Sequence, residues 1–387
     1  MSKLDKLTNR RGTYSLKWDV ADSELPMWVA DMDFETAPCV IEAIQDRVKS
    51  GIFGYSVIPD AYFESYINWW QKRHKVTYQK DWMIFTTGVV PAISSIVRKL
   101  TCPAEKVVVM SPVYNIFYNS IYNNGRYILS SDLVYENGKY HIDFKDLEVK
   151  LSDPQASLLI LCNPHNPIGK IWTKEELANI GHLCKKYNVV VLSDEIHCDI
   201  VDTDKNYIPF ASVNEECLLN SVTCLAASKA FNLAGLQSAC VVVADENLRH
   251  KVNRGLNTDE VAEPNAFACV ANIAAFTKGE EWLNDLNKYI EENKKLFREF
   301  IKKELPNLYV VPSEATYMLW VDCSYYADNA DELCDFLRAK TGLYVSSGSV
   351  YGKNGQKFFR INLATQKERV IDGLNRLKMG LSAYINR

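Results

Sequence analysis

The chain has 387 residues, of which 47% are apolar, 11% aromatic and 24% charged, which is ample material for a buried core and too much for a small binding module. Its 44 Lys and Arg against 48 Asp and Glu leave a net charge of −4, and no Lys/Arg run suggests the basic face that nucleic acid or an anionic membrane surface would require.

The first residues, Met1 to Arg11, are polar and mixed in charge, with no apolar stretch before a cleavage site, and no later apolar run approaches the ~20 residues of a membrane span. The 11 cysteines contain no CxxC pair and the six histidines show no ligand spacing, so neither a disulfide framework nor a metal site is expected. A reducing, cytoplasmic setting fits.

Beyond a helix starting near Thr36, short apolar runs recur between helical patterns: Met83 to Thr86, Lys106 to Met110, Leu158 to Cys162, Val189 to Ser193, Val222 to Leu225 and Ala239 to Ala244. Unbroken apolarity implies strands buried on both faces. Between two of them, Thr173 and Glu176 make a capping-box pattern, and Leu177, Ile180 and Cys184 follow at helical spacing, which predicts a crossover helix. From about residue 80 to 245 the alternation reads as one α/β domain around a mostly parallel sheet. After about residue 265 the pattern changes to a long helix from roughly Glu280 to Lys303, strands at Leu308 to Val311 and Tyr317 to Val321, a helix at Asp331 to Lys340 and a last one from Gln366. This predicts a second, smaller α+β domain, against which the first ~45 residues pack.

Four segments sit where a strand ends and a loop begins, the edge at which open α/β sheets bind ligands. Thr87-Gly88-Val89-Val90-Pro91 precedes the helix of Ala92 to Leu100 and could offer backbone N–H groups to an anion; taken alone it is an ordinary turn. Asn163-Pro164-His165-Asn166-Pro167-Ile168-Gly169 bends the chain sharply and can hold an Asn amide toward a cleft. Ser193-Asp194-Glu195-Ile196-His197 places acids at the end of a buried strand, where Asp194 either caps a turn or needs a cationic neighbour. Ala227-Ser228-Lys229-Ala230 follows an apolar strand, and a lysine in low-dielectric surroundings becomes a nucleophile. Most single lysines are solvated surface residues; the company of the other three segments changes that reading.

Together these four segments resemble the fold-type I pyridoxal-phosphate enzymes of the class I/II aminotransferase superfamily, over nearly the whole chain. Lys17-Trp18-Asp19, the run Leu25 to Phe34 and Gly51-Ile52-Phe53-Gly54-Tyr55 resemble, more narrowly, the MalY/PatB-like C–S lyases described as cystathionine β-lyases. The resemblance implies a large domain over 48–280 with a mostly parallel seven-stranded sheet covered by helices. A smaller α+β domain over 1–47 and 281–387 and a homodimer with shared active sites complete the implied architecture.

It implies that Lys229 carries pyridoxal 5′-phosphate as an imine and later moves protons at Cα, and that Asp194 faces the pyridine nitrogen. By the same resemblance Asn166 meets the phenolic oxygen, Tyr114 stacks on the ring, and Gly88, Val89, Val90 and the Ser228 hydroxyl hold the phosphate. Arg360, in Phe358-Phe359-Arg360-Ile361-Asn362 after the Gly348, Tyr351-Gly352 and Gly355 loop, would bind the substrate carboxylate beside Ala30, Tyr114 and Asn166. Tyr55 would reach the neighbouring subunit's phosphate.

Three positions depart from classical transaminases. Gln237 stands where many carry a phosphate-binding arginine, His197 where they carry a tyrosine near the phenolic oxygen, and Asn115 where some relatives have a second tyrosine. The implied activity is β-elimination of cystathionine to homocysteine, pyruvate and ammonia, or of other cysteine S-conjugates. The rivals are an aminotransferase using the same residues and a non-catalytic regulatory or ligand-binding protein on the same fold. A nicotinamide dehydrogenase is set aside, because no GxGxxG opens a helix after a strand.

Overall fold

A computed structural model describes residues 3–387. The N-terminal stretch carries the short strand β1 (Leu25–Pro26) and the helices α1 (Pro38–Lys49) and α2 (Asp60–His74). Then comes the alternation expected of an α/β domain: β2 (Met83–Thr86), α3 (Val89–Leu100), β3 (Lys106–Val109), α4 (Ile116–Tyr122) and β4 (Tyr127–Ser130). A small hairpin, β5 (Val134–Glu136) and β6 (Lys139–His141), leads through α5 (Phe144–Leu151) to β7 (Ala156–Cys162) and α6 (Lys174–Lys186). The domain continues with β8 (Val190–Asp194), α7 (Glu215–Leu219), β9 (Ser221–Leu225), β10 (Ala239–Val242), α8 (Glu246–Thr258) and α9 (Ala268–Lys278).

The seven-stranded sheet has the order β2-β10-β9-β8-β7-β3-β4. All neighbouring pairs are parallel except the two that involve β10. All six apolar runs are strands of this sheet, displaced by a residue or two at their ends. The seventh strand, β4, has no such run: it lies at the edge, none of its four residues is fully buried, and so it needs no unbroken apolarity. The crossover helix α6 has the expected capping box, with Thr173 accepting from Glu176 N–H and the Glu176 carboxylate accepting from Thr173 N–H. Helix α3 begins at Val89, earlier than the expected Ala92, because Pro91 in a first helical turn gives up an N–H that has no intrahelical partner there.

The rest of the chain folds as α10 (Glu280–Glu304), β11 (Tyr309–Val310), β12 (Met318–Asp322), α11 (Ala330–Thr341), β13 (Leu343–Tyr344), β14 (Ser346–Ser347), β15 (Phe358–Asn362) and α12 (Lys367–Ile385). Four of these strands form an antiparallel sheet ordered β11-β12-β15-β14, while β1 runs parallel to β13 with Leu25 opposite Leu343. Trp18, Leu25 and Met27 share a core with Leu337, Leu343 and Leu374; Met32, Phe34 and Val40 instead join Tyr62, Trp69 and Phe276, with α1 packed along α9. The N-terminal segment thus crosses from the C-terminal core to the large sheet's flank. The piece between, residues 28–31, runs across the C-terminal ends of the sheet strands. Among the described residues, no helix is long and apolar enough to cross a membrane.

Candidate active site

The parallel strands deliver their chemistry at their carboxyl ends. Strand β8 ends on Asp194, whose register partners are Cys162 at the end of β7 and Cys224 in β9. Four residues beyond β9 stands Lys229, and beyond β2 the helix α3 opens with the first-turn residues Val89, Val90 and Pro91. These ends converge on a cavity of about 230 Å³. Its wall includes Gly88, Val89 and Val90 from the α3 N-terminus, then Tyr114, Asn166, Asp194, His197, Ser228, Lys229 and, from the N-terminal segment, Ala30. Gln237 lines it too. A second cavity of about 540 Å³ shares Ala30, Tyr114 and Lys229 with the first and adds Arg360 and Asn115.

The loop after β7 is held from several sides. The peptides before Pro112, Pro164 and Pro167 are cis. His165 Nε2 bonds the Pro112 carbonyl at 2.8 Å, and burial lowers its pKa to about 4, so the imidazole is neutral. Asn163 donates to Glu195 at 3.3 Å and to the Ile208 carbonyl at 2.9 Å. Glu195 itself is sealed in, accepting from Ser193, Phe210 N–H and the Tyr207 hydroxyl, so it braces the site rather than facing the cavity. In this frame Asn166 Oδ1 accepts from Arg360 Nη1 at 3.0 Å, while Arg360 Nη2 reaches the Trp28 carbonyl at 2.9 Å. Arg360 Nε, by contrast, is buried without a partner.

Two titratable groups are pushed toward each other. Burial raises the Asp194 carboxyl to about 7, against the Ile196 N–H at 3.2 Å and the Lys229 charge, which lower it, with Glu195 raising it further. For Lys229 burial again dominates and lowers the amine to about 8; Asp31 opposes this, Arg360 adds to it, and Asp194 opposes it. The amine donates to the Ala30 carbonyl at 2.7 Å. Burial, then the Lys229 and Arg360 charges, hold the His197 imidazole well below its usual range, and its Nδ1 has no partner. Tyr114, at the rim, is raised by burial to about 12 and stays a neutral phenol.

Every site residue named from the sequence lines one of the two cavities except Tyr55, which is fully exposed in the segment 51–59 and borders a different surface depression. Sequence reasoning missed the residues that build the Ala30 side. Asn362 Nδ2 donates to the carbonyls of Val29 and Asp31 at 2.6 Å each, Arg10 pairs with Asp31 at 2.7 Å, and Asn232 binds Met32 through both N–H and carbonyl. Below them Asp33 gathers Lys17 at 3.0 Å, Trp18 Nε1 at 2.8 Å and Arg10 at 3.0 Å. The signal was in Lys17-Trp18-Asp19 and the run Leu25 to Phe34, whose polar members serve each other. A separate group, His74, Cys198 and Asp199, offers atoms close enough for a metal ion. There His74 Nε2 already bonds Asp199 at 3.0 Å and Arg73 Nε lies 3.3 Å away, so protein groups take up that carboxylate.

Residues 25–377 match the family model for aminotransferase class I and II. The cystathionine beta-lyase PatB of Bacillus subtilis (strain 168) is 41% identical over 385 residues, covering 98% of this chain and 99% of that protein. Among solved structures, cystalysin from Treponema denticola, which contains a pyridoxal 5′-phosphate cofactor, superposes with a TM-score of 0.95 at 29% identity over 98% of each chain. The pyridoxal-phosphate-bound C–S lyase from Staphylococcus hominis gives 0.91 at 33% identity, again over 98% of each chain. With a family model spanning most of its length, this chain belongs to the class I and II aminotransferase family.

Proposed function

We propose that the protein is a pyridoxal-phosphate-dependent carbon–sulfur lyase, which eliminates the β-thiol of cystathionine and related cysteine S-conjugates. The observation that carries this reading is the half-buried Lys229, whose amine shares one cavity with the Asp194 carboxyl and the first turn of α3. The residues present fit the cofactor. The helix start and Ser228 suit a phosphate, the buried carboxyl, which accepts from the Ile196 N–H and has no ion pair among the described residues, suits a pyridine nitrogen, and the amine suits an aldehyde. Bound there, the cofactor supplies an electron sink for the pair left when the Cα–H bond breaks.

The chain's own residues do the rest. Asp194 would hold a proton on the pyridine nitrogen, a role its own high proton affinity opposes until a cation is placed against it. With the cofactor bound, Asn166 would meet the phenolic oxygen and Tyr114 would stack on the ring; both line the cavity with His197. Arg360, whose Nε has no protein partner, would take the α-carboxylate through two parallel N–H donors and so orient Cα toward the ring. Lys229, once released, removes the Cα proton; the C–S bond breaks, the thiolate leaves with the bonding pair, and hydrolysis of the remainder yields pyruvate and ammonia. Relatives described as cystathionine β-lyases support this choice over transamination.

The same reading takes the protein as a cytoplasmic homodimer. The free thiols of all 11 cysteines support the first part, and the exposed Ile52, Phe53, Tyr55 and Val57 support a partner surface from which Tyr55 reaches the neighbouring phosphate. Residues 48–280 form the large domain in this scheme, and 1–47 with 281–387 the small one. The test is direct: the cofactor-loaded protein should release pyruvate and free homocysteine from cystathionine without an added keto acid, and borohydride should fix the cofactor to Lys229. Keto-acid-dependent amino transfer without thiol release would show an aminotransferase instead.

A further inference from the structure

The acceptor that holds the Lys229 amine is itself held. Ala30 O receives Lys229 Nζ at 2.7 Å and the Tyr317 hydroxyl at 2.9 Å. Tyr317 is completely buried at the start of the strand that leads into β12, and its ring meets His197 edge-on at 5.8 Å. A carbonyl oxygen can take two donors, and donors arriving about 120° apart leave hydroxyl and amine roughly 4–5 Å from one another. The backbone on either side of Ala30 cannot drift, because Asn362 binds the carbonyls of Val29 and Asp31 and Arg360 binds that of Trp28. The buried phenol finds its acceptor in a carbonyl that already has the Lys229 donor, which ties the hydroxyl to the amine.

We propose that Tyr317 is a positioning residue whose hydroxyl fixes the Ala30 carbonyl as the resting acceptor for the Lys229 amine whenever that amine is free, and draws on the carbonyl's lone-pair density so that the amine gives up its proton readily. This rests on the reading of Lys229 as the base of the elimination. The groups facing Lys229 are Asp31 and Asp194, which favour its ammonium form, Arg360, which opposes it, and the neutral His197; those facing Tyr317 are Asp31, Arg360 and Tyr114. All of them stay in place when only the hydroxyl is removed. The carbonyl then becomes a stronger acceptor for the ammonium, and the amine needs a higher pH to become a base.

The test is the pair of pH profiles for Tyr317→Phe. The acidic limb of kcat for pyruvate release should move up by about half to one pH unit, the size of one neutral hydrogen bond, with KM changed less than about twofold. Uptake of pyridoxal phosphate by the cofactor-free protein, which also needs the neutral amine, should shift by the same amount. Incorporating 3,5-difluorotyrosine at position 317, a stronger donor of nearly the same shape, should move both profiles the other way. Profiles that superimpose on the wild type, or a fall in thermal stability and a rise in KM without any displacement of the limb, would overturn the proposal. Wild-type protein unable to take up the cofactor would overturn the lyase reading and this proposal with it, and that result is visible before any variant is made.

Discussion

Replacing Arg360 by lysine tests the substrate-binding end of the site without removing its charge. In the native structure the guanidinium holds Asn166 Oδ1 at 3.0 Å and the Trp28 carbonyl at 2.9 Å, lies 4.8 Å from the Tyr351 ring centroid and keeps Nε without a protein partner. A lysine ammonium is a point charge: it can attract a carboxylate, but it cannot present two parallel donors while also holding Asn166 and Trp28. Losing one or two charge-assisted hydrogen bonds with the ion pair retained costs about 2–4 kcal/mol, or roughly 30- to 1000-fold in kcat/KM. Both terms should suffer, because the carboxylate clamp also orients the Cα–H bond over the ring. The assay is pyruvate release from cystathionine, with a decarboxylated thioether amine as the control substrate, on which wild type and variant should be equally poor. A loss under about fivefold, or an equal loss on the control, would refute the assignment, and cofactor absorbance should stay close to wild type.

The buried charges predict other outcomes. In the cofactor-free protein the Asp194 carboxyl has a folded-state pKa of about 7, above its unfolded value, so its contribution to stability is full in acid and is lost as pH rises from about 4 through 7. Lys229 has the opposite sign: its folded-state pKa of about 8 lies below the unfolded value, so stability recovers between about 8 and 10.5. Urea melts of cofactor-free Asp194→Asn should therefore lack the decline between pH 5 and 7.5 that the parent shows, and parallel curves would contradict the burial argument. Asp33→Asn leaves Lys17, 1% exposed, without its closest counter-charge and should cost about 3–5 kcal/mol in denaturant titrations; a change under 1 kcal/mol would mean that Asp31 replaces it. Lys229→Ala should retain the fold and lose borohydride-fixed cofactor and turnover together; turnover without lysine attachment would remove it from the mechanism.

Legibility followed the physics of each element. Most strands of the large sheet could be read because burial on both faces demands unbroken apolar runs, as in Leu158 to Cys162, whereas β4 at one edge and the separate two-stranded β5–β6 sheet are largely uncovered, and nothing there enforces such a run. Helix α3 was misplaced by three residues because Pro91 looks like a stop when it stands in a first turn. In the site, residues at strand ends were legible because a buried acid or lysine demands an explanation. Tyr317, Asn362 and Asn232 were not, because each acts on a backbone carbonyl or N–H of the segment Val29 to Phe34, and nothing in a sequence says which carbonyl a tyrosine or asparagine will meet.

The electrostatics give this division of labour a reason. Packing Asp194 and Lys229 into one cavity penalises the charged form of each, one raised toward 7 and the other lowered toward 8, and the two are not brought into a short ion pair that would relieve both. A ligand that offers a ring nitrogen to the acid and an aldehyde to the amine relieves both penalties at once, so the cost of burial becomes affinity and activation for that ligand. For this to work, the amine must not be captured by a carboxylate of the protein. Asp31 is the carboxylate whose charge acts most strongly on the amine, and the structure keeps it engaged with Arg10 and, more loosely, Lys17, while Asn362 holds the adjoining carbonyls and Tyr317 shares the Ala30 oxygen. Arg10→Ala should accordingly free Asp31 toward Lys229 and raise the pH at which the cofactor-free protein takes up pyridoxal phosphate. An uptake profile identical to wild type would show that the segment's backbone, and not this ion pair, keeps Asp31 from the amine.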